Sequence, residues 1–192
     1  MPKFKSLTTK FIFISLIVLT FIGIYIYSDF RFTQYMKGGA TAINNAGKLR
    51  YHSFEMAWLT QMLTQKPDLQ TRKFIIEELK DEISEFEKTI IDFKNGNEEL
   101  HIKPIARYKD SAIIFNKISD EWNSVFKPIL LNIAELPENT SEETLKILAD
   151  KYNLRVHEYV YEVVDKFVTS LGTHHEMEIK RFDILRFYIF GF

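Results

Sequence analysis

Phe11 through Ser28 contains no charged residue, and about eighteen uncharged, mostly apolar residues approach the length a helix needs to cross the hydrocarbon core of a bilayer. Within that core every backbone N–H and C=O must be satisfied inside the segment, which leaves helix as the form such a run can take. Residues 11–28 are therefore expected to be a transmembrane helix. Lys3, Lys5 and Lys10 precede the run, so the positive-inside rule keeps residues 1–10 in the cytoplasm and sends the following chain across. A cleaved signal peptide is the competing reading. The run is longer than the usual apolar core of such peptides, and Tyr25, Ile26 and Tyr27 offer no small-residue cleavage pattern, which favours an uncleaved anchor.

With 192 residues, 46% hydrophobic and 15% aromatic, the chain can supply one anchor and one globular domain of about 150 residues. A formal net charge of -1 with 27% charged residues provides no field for nucleic acid or another polyanion. There is no cysteine, which excludes disulfides, thiolate metal sites and cysteine nucleophiles.

Beyond the anchor the apolar residues recur at helical spacing. Ile76, Leu79, Ile83, Phe86, Ile90 and Phe93 mark a second helix, with acidic and basic residues on its other faces. The first helix is expected to run on from the anchor to about Gln65, with Lys66, Pro67 and Asp68 as the turn. Asn95, Gly96 and Asn97 break the chain before a third helix carrying Tyr108, Ala112, Phe115, Ser119, Trp122, Phe126, Ile129 and Ile133. Pro104 suits its first turn, and Pro128 predicts a kink within it. Ser141 and Thr144 open a fourth helix, whose stripe is Leu145, Leu148, Tyr152, Val156, Tyr159, Val163, Phe167 and Leu171 and can continue through Met177 to Leu185. The fold class is all-α: an N-terminal transmembrane helix followed by an antiparallel up-down-up-down four-helix bundle over residues 29–183. In that topology the fourth helix returns to the membrane.

The segment Ala42 to Met56 carries the chemistry. In a helix Ile43, Gly47, Arg50 and Phe54 share one face. Gly47 lets a second helix or a small anion approach the backbone, and Arg50 offers a planar fork of donors suited to an oxyanion. Glycine within a helix costs roughly 1 kcal/mol against alanine, a cost that a close approach would offset. Asn44, nearly two turns before Arg50, is a polar wall or an interface residue, and Lys48 is set on another side of the helix as a solubilising charge. Gly38 and Gly39 are expected only to loosen the helix above the membrane.

Ile43, Asn44, Ala46, Gly47, Leu49, Arg50 and Ser53 resemble the signature segment, or P box, of the sensor domain in nitrate/nitrite-sensing histidine kinases. Related sensor domains stand at the N-termini of type IV pili methyl-accepting chemotaxis transducers. The resemblance implies that the segment lies on the first periplasmic helix at a homodimer interface, where the Arg50 side chains of two protomers bind one nitrate or nitrite. It implies ligand-binding roles for Ile43, Asn44, Gly47 and Arg50, a dimer seam of Ile43, Gly47, Arg50 and Phe54, and a place in the bacterial inner membrane. Two positions depart from the family: Tyr51 stands where methionine is common, and Glu55 where a second arginine is common. Glu55 adds negative charge near the site.

Catalytic patterns are missing. Glu98 stands three residues before His101, but no glutamate does so before His52, His157, His174 or His175, so the di-iron bundle signature, which needs such a pair on each of two helices, is absent. His52 with Glu55, and His175 with Glu178, have the reversed order and read as solvated surface pairs. Adjacent His174 and His175 diverge on a helix. No phosphate loop, nucleophile elbow or zincin motif occurs. No enzymatic activity, cofactor or metal is expected. Trp58 and Trp122 read as core or interface.

Residues 184–192 contain Ile184, Leu185, Phe187, Tyr188, Ile189, Phe190 and Phe192 around Arg186. They resemble the entry to a second membrane span or an interfacial tail, and about nine residues cannot cross alone. The expected function is a membrane-anchored, periplasmic sensor domain of a histidine kinase or chemotaxis transducer that binds a small anion between two protomers, its output module truncated away. The alternative is a non-sensing, membrane-tethered interaction or dimerisation module.

Overall fold

The structure, a computed structural model, describes residues 7–190, with side chains through Tyr188. Lys3, Lys5 and Phe192, and the side chains of Ile189 and Phe190, lie outside the described residues. The chain divides into two compact units, the first ending at Lys37 and the second starting at Gly38. The helix that opens the chain, α1 (Leu7–Leu63), contributes to both. In the first unit it includes a window long and apolar enough to cross a membrane, none of it buried.

The second unit contains the rest of α1 and three further long helices. α2 (Leu69–Asn95) begins at an Asp68 cap whose carboxylate accepts from the backbone N–H of Gln70 and Thr71, filling two donors that a helix start leaves open. These bonds, led by those from Thr71, hold the Asp68 carboxyl below the usual carboxylate range. α3 spans 109–135 and α4 spans 142–190, each interrupted by one π turn. Ser141 caps α4, its hydroxyl accepting from the Thr144 N–H at 3.3 Å. No strand occurs among the described residues; a lone bridge joins Asn97 and Ile102 in the connection from α2 to α3. Pro104 opens a short 3-10 turn, Ile105–Arg107, and α3 proper starts at Lys109, slightly later than the spacing suggested.

Cross-helix contacts show the up-down arrangement. Along α1, Gly39, Arg50, Phe54 and Gln61 meet His175, Asp165, His157 and Asn153 of α4 in descending order. From Tyr108, just before α3, along that helix, Tyr108, Ser111, Phe115 and Phe126 meet His174, Ser170, Phe167 and Tyr152 of α4, again descending. Phe93 and Phe86 of α2 meet Phe115 and Trp122 of α3. The second unit is a four-helix bundle, with α4 antiparallel to both α1 and α3, the arrangement that short connections favour.

The core is aromatic. Phe86 stacks on Trp122 at 4.1 Å between centroids, Phe93 meets Phe167 edge-on at 5.2 Å, and Phe126 tilts onto Tyr159 at 4.4 Å. Fully burying side chains of this size contributes roughly 1.5–3 kcal/mol each. Trp122 is part of this core, while Trp58 remains 56% exposed. Two tyrosines bring a polar end inside and both are satisfied: Tyr152 Oη donates to the Ser53 carbonyl at 3.0 Å, and Tyr159 Oη to the Ile118 carbonyl at 3.2 Å.

The π turns, Trp122–Phe126 and Val160–Val164, close through the Lys127 N–H to the Trp122 carbonyl and the Asp165 N–H to the Val160 carbonyl. A π turn inserts one extra residue into the ladder. The first stands immediately before Lys127 and Pro128, where the proline ring would otherwise press on the preceding turn. Asn123 Nδ2 and Ser124 Oγ donate to the carbonyls of Ser119 and Asp120 at 2.7 and 2.6 Å, supplying donors to that opened ladder. The helix thus continues through Pro128, as its spacing predicted.

Gly38 and Gly39 do more than loosen α1. A Cβ on Gly38 would stand 2.8 Å from the His101 carbonyl oxygen, and one on Gly39 would overlap the His175 ring. Backbone and neighbour approach too closely at these positions for any side chain.

Candidate functional site

Helical geometry divides the Ala42 to Met56 segment into two working faces. Ala42, Asn45, Ala46, Leu49, His52, Ser53 and Met56 are buried. Ile43, Asn44, Gly47 and Arg50 lie outward and border an open depression of about 410 Å³, completed by Lys48 and Tyr51 of α1 and Val168 of α4. The seven residues of the signature therefore serve two purposes: Ala46, Leu49 and Ser53 fasten the helix to the core, and the other four line the depression.

Within the depression Asn44 and Arg50 are exposed, and nothing lies within 4 Å of where a Cβ on Gly47 would be. The bare helix surface at Gly47 is thus open, unlike that at Gly38 and Gly39. Lys48 borders the same depression, although helical spacing set it on another side of α1; its long side chain flanks the stretch that Gly47 leaves uncovered. Phe54, one turn beyond Arg50 and also against α4, does not border the depression: it is half-buried, its ring meeting His157 at 5.3 Å and Tyr161 at 6.5 Å.

Arg50 is engaged. Its Nη1 donates to Asp165 Oδ1 at 3.0 Å, with the two side chains 47% and 28% exposed. Asp165 is the residue that follows the π turn in α4. The neighbouring Tyr51 has an acidic rim: Glu55, then Glu82, some burial and Glu78 push its phenol above its ordinary value. Arg50, paired with Asp165, and Lys48 are the two positive groups bordering the depression. The guanidinium has five N–H donors in a plane, suited to a planar oxyanion.

His52 overturns its expectation as a solvated residue. It is buried, and its Nδ1 hydrogen-bonds Glu82 Oε2 of α2 at 2.5 Å. The apolar stripe could not reveal this, because the partner belongs to another helix. His175 is half-buried against Gly39, and burial, with His174 adding to it, lowers its pKa below the ordinary histidine value. Glu178 is taken by Arg181 at 2.6 Å. Among the described residues no group of three or more histidines, aspartates and glutamates is placed to hold a metal ion.

Two other depressions are less suited to an anion. One of about 450 Å³ between α3 and α4 sets Lys117 and Arg155 against Glu121, Glu158 and Glu162, so its charges oppose one another. A larger one, about 720 Å³, is lined only by residues of one turn and a half of α4, Asp183 to Tyr188, and has no groups converging from a second helix.

Helical spacing put Ile43, Gly47 and Arg50 on one face and the resemblance added Asn44; all four border the depression, beside Val168 and the Arg50 partner Asp165, which neither singled out. No local signal marks Asp165: it is one acidic residue on a helix more than a hundred positions away, and only the antiparallel fold brings it to Arg50. Residues 32–151 match the family model described as type IV pili methyl-accepting chemotaxis transducer N-terminal. No curated protein and no solved structure matches the chain.

Proposed function

Because the chain belongs to the type IV pili methyl-accepting chemotaxis transducer N-terminal family, with more than half of its length matched, we propose that this sensor-type domain of a signal-transduction receptor detects a small oxyanion, nitrate or nitrite, at Arg50. The observation that carries the reading is the convergence of Ile43, Asn44, Gly47 and Arg50 on one open depression. The proposed site is completed by a second copy of the chain. Two Arg50 cations brought together across a seam at Gly47 repel, and an anion between them relieves the repulsion while accepting from both forks. The run at residues 11–28 anchors both copies in the inner membrane with the bundle in the periplasm, which makes their α1 helices parallel neighbours.

Signalling then follows from differential affinity. An anion that binds one spacing of the helix pair better than another shifts the population toward it. α4, antiparallel to α1, carries the shift as a small axial displacement. Coupling of this kind is reciprocal, so whatever favours the signalling spacing also tightens the anion.

The test is a thermal-stability titration of the full chain in lipid nanodiscs with nitrate, nitrite, sulfate and chloride at matched ionic strength, which separates binding from screening. The expected outcome is a saturable rise with nitrate or nitrite, about 2.7 kcal/mol at a hundredfold excess over the dissociation constant, abolished by Arg50→Ala. Identical curves for all four salts would leave the second reading, a membrane-tethered interaction module. The Arg50–Asp165 ion pair and the acidic rim around Tyr51 are the observations that favour that alternative.

A further inference from the structure

We infer that Asp165 is a built-in competitor for the anion: its carboxylate holds the Nη1 donor of Arg50 in the unliganded protomer, and its displacement is the event that reports binding to α4. The inference rests on the proposed anion site and adds the residue that gates it.

Three observations converge on Asp165. Its Oδ1 accepts from Arg50 Nη1 at 3.0 Å. A carboxylate and a nitrate are both planar, delocalised anions that present oxygen atoms to a guanidinium, so Asp165, on Nη1, takes a donor that an incoming anion would use. The neighbouring cation does not compete for it, since Lys166 Nζ is held by Glu162 Oε2 at 2.5 Å. Asp165 is also placed where release would matter. It is the first residue beyond the π turn Val160–Val164, and its own N–H closes that turn on the Val160 carbonyl.

Val160, Val163 and Val164 hold the inner side of the turn in the core. On the outer side the Arg50 contact ties the end of the turn to α1. A π turn is a widened, less favourable form of the helical ladder, so removing that tie allows the segment from Asp165 onward to change its position relative to α1. Anion capture at Arg50 and a change in α4 are thereby one exchange of partners, in which the anion replaces the carboxylate on the guanidinium and the carboxylate passes to water.

The experiment compares wild type and Asp165→Asn, both as full chain in nanodiscs, by nitrate titration calorimetry and by amide hydrogen exchange across residues 160–170. Asparagine keeps the shape and removes the charge; the side chain is partly exposed, and circular dichroism verifies folding. The expected results are nitrate binding about two- to fivefold tighter in Asp165→Asn, the scale of an exposed ion pair, and exchange at 160–170 that nitrate accelerates in wild type but that is already fast in the variant. Asp165→Glu should restore wild-type behaviour in part. Nitrate binding in wild type with unchanged affinity and unchanged exchange in Asp165→Asn overturns this inference alone. Absence of nitrate binding in both proteins overturns it together with the reading of the site.

Discussion

At the level of single residues, the glycines of α1 make opposite demands. A side chain on Gly39 would overlap the His175 ring, whereas Gly47 faces open space. Gly39→Ala should therefore destabilise the bundle by about 1–3 kcal/mol, the usual scale of overpacking. Gly47→Ala should stabilise the isolated protomer by up to about 1 kcal/mol through helix propensity, while weakening any nitrate response that depends on close approach there. Thermal unfolding of the two variants side by side distinguishes these effects. The buried tyrosines give a second residue-scale prediction. Burial pushes the Tyr152 and Tyr159 phenols well above their ordinary value. A folded pKa above the unfolded one means that the unfolded chain ionises first, so stability is intact below about pH 10 and declines as pH rises beyond it. Replacing both with phenylalanine should cost about 1 kcal/mol per lost hydrogen bond at neutral pH and flatten the decline between about pH 9 and 11. Sequence spacing anticipated Tyr152 and Tyr159 as core positions, since both lie on the apolar stripe of α4. It could not anticipate buried Arg72 or His52, because a stripe is recognised by apolar residues and a polar side chain enters it only with a partner from elsewhere.

For whole helices, the stripes were legible to within a residue. Leu79, Ile83, Phe86, Ile90 and Phe93 are buried as expected, but at the start of α2 Ile75 is the core residue and Ile76 is only partly covered. In α3 Ile118 takes the place expected of Ser119, one residue off, shortly ahead of the π turn. Heptad reading assumes a uniform period, and a π turn changes that period locally. The turn itself had a partial signal in Pro128, which requires an opened ladder nearby but does not say where the extra residue will go. If Trp122–Phe126 is one residue inserted into an otherwise regular helix, deleting exposed Asn123 restores the regular ladder and keeps both flanking stripes in register. That deletion should lower the melting temperature less than deletion of Lys117, an exposed residue in the regular part of α3, which rotates everything after it by about 100°. Melting curves of the two deletion variants decide the point.

For the whole molecule, the first signal read from the sequence concerns its solvent. The apolar window of α1 contains no buried residue, so the chain should remain with membranes through high salt and alkaline carbonate washes and be released only by detergent, which fractionation and blotting would show. The opposite end of the second unit has a different kind of fastening. Buried Arg72, at the start of α2, donates from Nη1 to the Glu138 carbonyl at 2.6 Å and from Nη2 to the Pro137 carbonyl at 2.9 Å. It thereby grips the backbone of the α3–α4 connection. Charge-assisted bonds of this kind are worth roughly 1.5–3 kcal/mol each, and Arg72→Met should loosen the connection without emptying the space the side chain fills. Mechanically the grip pins the backbone that leads into α4. A push along that helix therefore meets a fixed support at this end, and the same push would only shift the loop if the grip were removed.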